Sequence, residues 1–326
     1  LWNVKRIRPQ RLIEADLSRE VHTELLWAFE GITSYYDDLV LRRSGVICDE
    51  DYLEELANTV TRVLRTPGRS RQSVAASSFD AWTKFYKQDA NAANAIVSYY
   101  TKGALVALGL DVTLRERSDD HIGLDDLMRL LWQRHGKTGI GVPERGIELL
   151  AAELLGESLQ AFFAAFVYGT DELPLGDWFD RLGIGFRARA ARQAEDQGGY
   201  REQPPSDSAP PSLGARFEEN AGGLLLTQVT AAGAAEAAGL AVGDVLLALD
   251  GERLVAKHLA DLLSRLQGRP AELHFFRRGR LLVTALEPRP AAADTCDLWL
   301  LPEAVLDPRV RQRRAAWLGS NHAPSA

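Results

Sequence analysis

The chain has 326 residues, 46% of them hydrophobic and 25% charged, which is room for two domains with the ordinary composition of a globular protein. A net charge of -7 weighs against a general polyanion binder, and no apolar run approaches the length of a membrane span. Cys48 and Cys296 stand far apart, outside any CxxC or Cys/His spacing, which excludes a disulfide framework.

Residues 1–24 read as an extended, basic approach (Lys5, Arg6, Arg8, Pro9, Arg11), with His22 as a surface or helix-start histidine because no second histidine is spaced to join it in a metal site. The KRIR run here and RVRQRR near the end lack interleaved aromatics, so they read as solvated faces or loops and not as a nucleic-acid patch. From Leu25 to Leu39, LLWAFEGITSYYDDL predicts a helix whose buried face is Leu25, Leu26, Phe29, Ile32, Tyr36, Leu39 and Val40. Glu30 stands beside that face, and helical geometry stacks Ser34 and Asp37 after it as a polar stripe. Pattern alone leaves two readings of the stripe. It is a solvated face, or it is a carboxylate held on a rigid element as a metal ligand or acid-base group.

Asp49 to Arg65 predicts a helix stopped by Pro67-Gly68, residues 69–77 a loop, and Phe79 to Tyr86 a packing cluster of aromatics. Asn91 to Arg115 predicts one long Ala-rich helix with Ile96, Tyr99, Gly103, Leu105, Leu108 and Val112 as its buried stripe. Helices continue over Asp125 to His135, Pro143 to Leu155 and Ser158 to Tyr168, with His121 and His135 at a turn and a helix end. Residues 183–211 change to Arg-rich and then QGGYREQPPSDSAPPS, part of which predicts a linker, although GIGFRARAA before it reads as a strand. From Leu213 the period switches to that of strands. GGLLLTQVT is a strand and EAAGL a short helix. GDVLLALDGERL is a strand ending in the Asp250-Gly251 turn, and His258 to Leu266 is a helix. AELHFF, Arg278-Gly279 and RLLVTAL then form a hairpin. Residues 291–326 read as an amphipathic tail packing back onto the body, with a disordered end.

LWNVKRIRP at residues 1–9, WAFEGITSYYDDL at 27–39 and SYYTKGALVALGLDVTLR at 98–115 resemble successive landmarks of the glycyl aminopeptidase family of zinc metallopeptidases, family sixty-one of that class. The resemblance implies an α+β chain: the helical C-terminal half of a thermolysin-like metallopeptidase domain, then a small PDZ β-sandwich or barrel domain. It implies peptidase residues at 1–181, a linker at 182–211, a PDZ domain at 212–290 and a tail at 291–326. It also implies that the HExxH helix, with two zinc ligands and the general base, lies just upstream of Leu1. Glu30 would then be the third zinc ligand, with Ser34 and Asp37 in support. Tyr100, in the Tyr-Thr-Lys-Gly context, would donate to the oxyanion, with Tyr99 packing beside it. The implied substrate is a peptide with a small N-terminal residue such as Gly or Ala.

The run Ala-Gly-Leu-x-x-Gly-Asp, an alternating strand and Asp-Gly resembles a bacterial PDZ domain, which binds an extended peptide or a C-terminus by strand addition. Leu213, Gly214 and Ala215 match its carboxylate-binding loop, and the strand near Leu224 with the helix at His258 to Leu266 would flank the groove. Arg216 replaces the apolar residue usual there and points to a bracing module. The rival to an enzyme is a non-catalytic scaffold carrying a PDZ module, and the presence or absence of HExxH upstream separates the two.

Overall fold

The structure is a computed structural model and describes residues 3–319 apart from residues 4, 14, 17, 194 and 203–208. Leu1, Trp2, Val4, residues 194 and 203–208 of the expected linker and the expected disordered end lie outside the described residues. The fold is α+β. A body of helices α1 (Ile32–Arg43), α2 (Asp49–Leu64), α3 (Val74–Phe79), α4 (Ala92–Ala95), α5 (Thr101–Arg117), α6 (Leu124–Leu131), α7 (Gly146–Leu155), α8 (Gln160–Phe166) and α9 (Leu175–Arg181) packs around α5, whose Leu105, Leu108 and Leu110 are wholly buried. Helix α3 starts inside the stretch expected to be a loop, because Ser73 caps it by accepting from the Ala76 amide at 3.0 Å.

The expected linker opens with β1 (Ile184–Arg189) and β2 (Gly199–Tyr200), and the expected tail holds β11 (Thr295–Leu300) and α12 (Pro308–Leu318). Strand β11 pairs antiparallel with β1 and parallel with β2, so segments more than 100 residues apart close one three-stranded sheet on the helical body. At its centre the buried Arg189 guanidinium donates to both Asp297 oxygens, at 2.6 and 2.9 Å, and to Asp196 at 2.6 Å. Trp317 of α12 is 0% exposed and its indole N–H donates to the Tyr35 hydroxyl at 2.9 Å, while Tyr35 donates to the buried Asp111 at 2.6 Å. Trp317→Phe should lower unfolding stability by about 1–3 kcal/mol, through lost packing and a lost buried hydrogen bond. A urea denaturation midpoint equal to the parent's would contradict that role for the tail.

The PDZ module is therefore an insertion in the body. Strands β3 (Pro211–Ser212) and β10 (Arg289–Pro290) pair as its neck. Between them lie β4 (Ala215–Asn220), β5 (Gly223–Val229), α10 (Ala234–Ala237), β6 (Val245–Leu249), β7 (Glu252–Arg253), α11 (Ala256–Leu266), β8 (Ala271–Arg277) and β9 (Arg280–Leu286). The sheet order is β4-β5-β6-β8-β9, with β7 on β6. Its core is separate: Leu224, Leu246, Leu249, Leu263, Leu273 and their neighbours. The two-residue loop Arg278-Gly279 has φ of 52° and 78°, the left-handed pair that a tight hairpin needs. The Asn94 side chain ties module to body. The Asn94 carboxamide donates to the Val229 carbonyl at 2.8 Å and accepts from the Ala231 amide at 2.9 Å.

Candidate active site

Glu30 lies on a π-helical turn, Trp27–Gly31, that runs straight into α1. The Phe29 carbonyl on this turn accepts from the Thr33 hydroxyl at 2.6 Å and from the Asn3 carboxamide, which anchors the N-terminal segment here. Widening the helix by a residue per turn changes the phase of everything after it. That is why Val40, expected on the buried face, is 51% exposed, while Tyr35 is buried instead. Among the described residues Ser34 and Asp37 make no hydrogen bond to Glu30, and Asp37 faces an open cavity of about 660 Å³ with Tyr36, Val40, Asp125 and Met128.

The Glu30 carboxylate is half-buried and has no hydrogen-bond or ion-pair partner among the described residues. Burial alone pushes its pKa up. Among the described residues no three His, Cys, Asp or Glu side chains group as metal ligands. His22 instead holds the Phe79 carbonyl through Nδ1 at 2.8 Å. A partnerless, rigidly held carboxylate fits one zinc ligand.

Tyr100 does not sit inside a long helix. The expected helix 91–115 breaks after α4, with Ile96 extended at φ -123° and ψ 161°, and restarts with Tyr100 at the N-cap of α5. Side chains distant in sequence occupy the backbone there. Val97 donates to Gln72 Oε1 at 3.1 Å, and its carbonyl accepts from the Ser77 hydroxyl at 2.5 Å. The break turns Tyr100 to a half-buried position while Tyr99 goes to 1% exposure, their rings stacked at 4.6 Å. Burial pushes the Tyr100 phenol up to about 12, and the nearby Glu30 charge acts in the same direction. The phenol is therefore protonated and able to donate across the neutral range.

The Lys-Gly pair after it has structural duties. A Cβ on Gly31 would lie 2.6 Å from the Gly103 carbonyl carbon, so the Glu30 turn and α5 meet backbone to backbone and fix Glu30 relative to Tyr100. Gly31→Ala should therefore cost about 1–3 kcal/mol of stability as the two elements separate, measured by urea denaturation. Lys102 is 2% exposed, its ammonium donates to the Arg69 carbonyl at 2.8 Å, and burial pulls its pKa down to about 8. Its folded value lies below the unfolded one near 10.5, so the unfolded chain binds the proton more tightly and stability rises with pH from about 8 to about 10.5. Lys102→Met should abolish that rise in the variant, so the difference between parent and variant stability should grow between about pH 8 and about pH 10.5; a pH-independent difference would contradict the burial argument.

In the PDZ module, the strand near Leu224 is not the groove strand. It belongs to β5, whose two edges are already paired with β4 and β6; among the described residues the edge strands of this sheet are β4 and β9, and β4 is the one that follows the Leu213 to Ala215 loop. Leu213, Gly214 and Ala215 lead directly into that edge strand. Gly214 has φ +68°, and a Cβ there would lie 2.7 Å from the Gly233 Cα. Its amide donates to Ser212 Oγ at 3.1 Å, and the Leu213 and Gly214 carbonyls accept from Ala235 and Thr230. Arg216 is exposed on β4.

Two features were not singled out from the sequence. Asn94 looked like an ordinary helix residue, and Tyr86 like one of several packing aromatics; an exposed phenol near the Tyr-x-Lys-Gly run is the only signal that pointed to the second.

The family model of M61 glycyl aminopeptidase matches residues 1–106, and a PDZ-domain model matches residues 225–276. The crystal structure of an aminopeptidase N family protein from Idiomarina loihiensis superposes with a TM-score of 0.85 at 33% identity, over 97% of this chain and 52% of that one. The chain thus spans about half the length of that solved relative. An HtrA-type protease AlgW with decapeptide matches 26% of this chain and 31% of its own at 22% identity, with a TM-score of 0.24. A serine endoprotease from Yersinia pestis matches 26% of this chain and 30% of its own at 17% identity, with a TM-score of 0.23. No curated protein matches. The chain thus carries an M61 glycyl aminopeptidase segment over residues 1–106, with a PDZ module behind it.

Proposed function

We propose that this chain supplies part of the active site of a zinc aminopeptidase acting on peptides with a small N-terminal residue such as Gly or Ala. The observation that carries the reading is Glu30: half-buried, partnerless, and locked beside the Tyr100 phenol by the Gly31 and Gly103 contact. Glu30 would hold the metal together with the two histidines of an HExxH helix in the preceding polypeptide. A zinc ion held there would supply Lewis-acid polarisation of the scissile carbonyl and a water of lowered pKa. Tyr100 keeps its proton and donates it as a hydrogen bond to the oxyanion that develops on the substrate carbonyl. The rigid crossing of the two helices maintains the spacing between ligand and donor.

The PDZ module in this reading braces the body. Its Val229 to Ala231 backbone is gripped by Asn94, on the segment that leads into Tyr99 and Tyr100, and the Gly214 amide in its carboxylate loop is already bonded to Ser212. The complete protein should hydrolyse glycyl and alanyl arylamides, lose that activity on chelation and regain it with zinc. Hydrolysis untouched by chelators would refute the metal, and no hydrolysis of any peptide substrate by zinc-loaded protein would leave a scaffold carrying a PDZ domain.

A further inference from the structure

Three phenols meet where α5 begins. The Tyr86 hydroxyl lies 3.1 Å from that of Tyr99 and 3.2 Å from that of Tyr100. Phe85 holds the group together, with its ring 5.3 Å from Tyr86, 4.9 Å from Tyr99 and 6.0 Å from Tyr100. Tyr86 itself is 62% exposed and follows the π-helical turn Ala81–Phe85, which no other part of the site uses.

Each phenol has one proton to donate. Tyr99 is buried, with the Tyr86 and Tyr100 hydroxyls both as hydrogen-bond partners, so its proton goes to one of these two oxygens; a buried O–H without an acceptor would cost about 1–3 kcal/mol. When the Tyr86 oxygen accepts from Tyr99, the Tyr86 proton is free to turn to the Tyr100 oxygen. Tyr100 then accepts from Tyr86, and its proton is left for the substrate. Order runs from the buried phenol outward, and accepting a bond makes Tyr100 a better donor.

We propose that Tyr86 is a positioning residue, which by donating to the Tyr100 oxygen keeps the Tyr100 proton pointed at the substrate carbonyl. The inference rests on the reading of Tyr100 as the oxyanion donor. Were the direction reversed, Tyr100 would spend its proton on Tyr86 and would have to break that bond before each turnover.

The test is a double-mutant cycle on the complete protein, with steady-state hydrolysis of a glycyl arylamide as the readout. Tyr86→Phe keeps the exposed ring and removes one hydrogen bond, so kcat should fall about 5- to 10-fold with KM within about twofold. In a Tyr100→Phe background, Tyr86→Phe should change kcat no further. A Tyr86→Phe enzyme with parental kcat, or one whose loss multiplies undiminished onto that of Tyr100→Phe, would overturn the inference while leaving the role of Tyr100 intact. If Tyr100→Phe alone leaves kcat unchanged, the reading of Tyr100 fails and this inference fails with it.

Discussion

Glu30→Gln in the complete protein is expected to weaken zinc binding by about 100-fold or more, since losing even an outer-shell partner costs 10- to 100-fold, and peptidase activity should fall with it. The fold should survive. Glu30 has no hydrogen bond or salt bridge among the described residues to lose, and burial already disfavours its charge. Its folded pKa lies above the ordinary value, so at neutral pH the ionised carboxylate opposes folding when no metal neutralises it. Metal-free Glu30→Gln should therefore be at least as stable as the metal-free parent, while the zinc-loaded parent is stabilised by binding and the variant is not. Metal analysis combined with thermal denaturation checks both halves. Full zinc occupancy in the variant would remove Glu30 from the ligand set, and a metal-free variant that unfolds earlier would make it a structural carboxylate.

Tyr100→Phe should lower kcat by about 100- to 1,000-fold, the cost of one oxyanion donor, with KM little changed because the interaction is made in the transition state. The ring stays. Stacking on Tyr99 at 4.6 Å and packing against Phe85 at 6.0 Å do not involve the hydroxyl, whose partner is Tyr86. A near-parental kcat would reduce Tyr100 to a packing residue. Tyr99 is not expected to take over, because at 1% exposure its hydroxyl is bonded within the phenol cluster.

Local signals in the sequence carried far wherever local physics decides. Helix α2 starts at Asp49 as its acidic first turn and periodicity require, and the hairpin at Arg278-Gly279 turns where two left-handed residues are needed. The residue types of the candidate site, a carboxylate beside an apolar face and a Tyr-Thr-Lys-Gly run, were equally legible. Their arrangement was not. Helical periodicity assumes a constant turn, and with a π turn at Trp27–Gly31 the buried face takes Tyr35 and leaves Val40 exposed. Ala-rich propensity favoured one helix from Asn91 to Arg115, but Gln72 and Ser77, some 20 residues away, hydrogen-bond the backbone at Val97 and break it.

What the sequence by itself determined is therefore many of the elements, the α+β class and the chemistry each candidate residue offers. Only the tertiary structure decided which residues meet. Two glycines 72 residues apart bring Glu30 and Tyr100 together because neither carries a Cβ to hold the backbones apart. Strand β11 reaches β1 across the whole PDZ insertion because Arg189 and Asp297 have to be buried as a pair, and β4 rather than β5 is an edge strand because pairing order is set across the sheet and not along the chain.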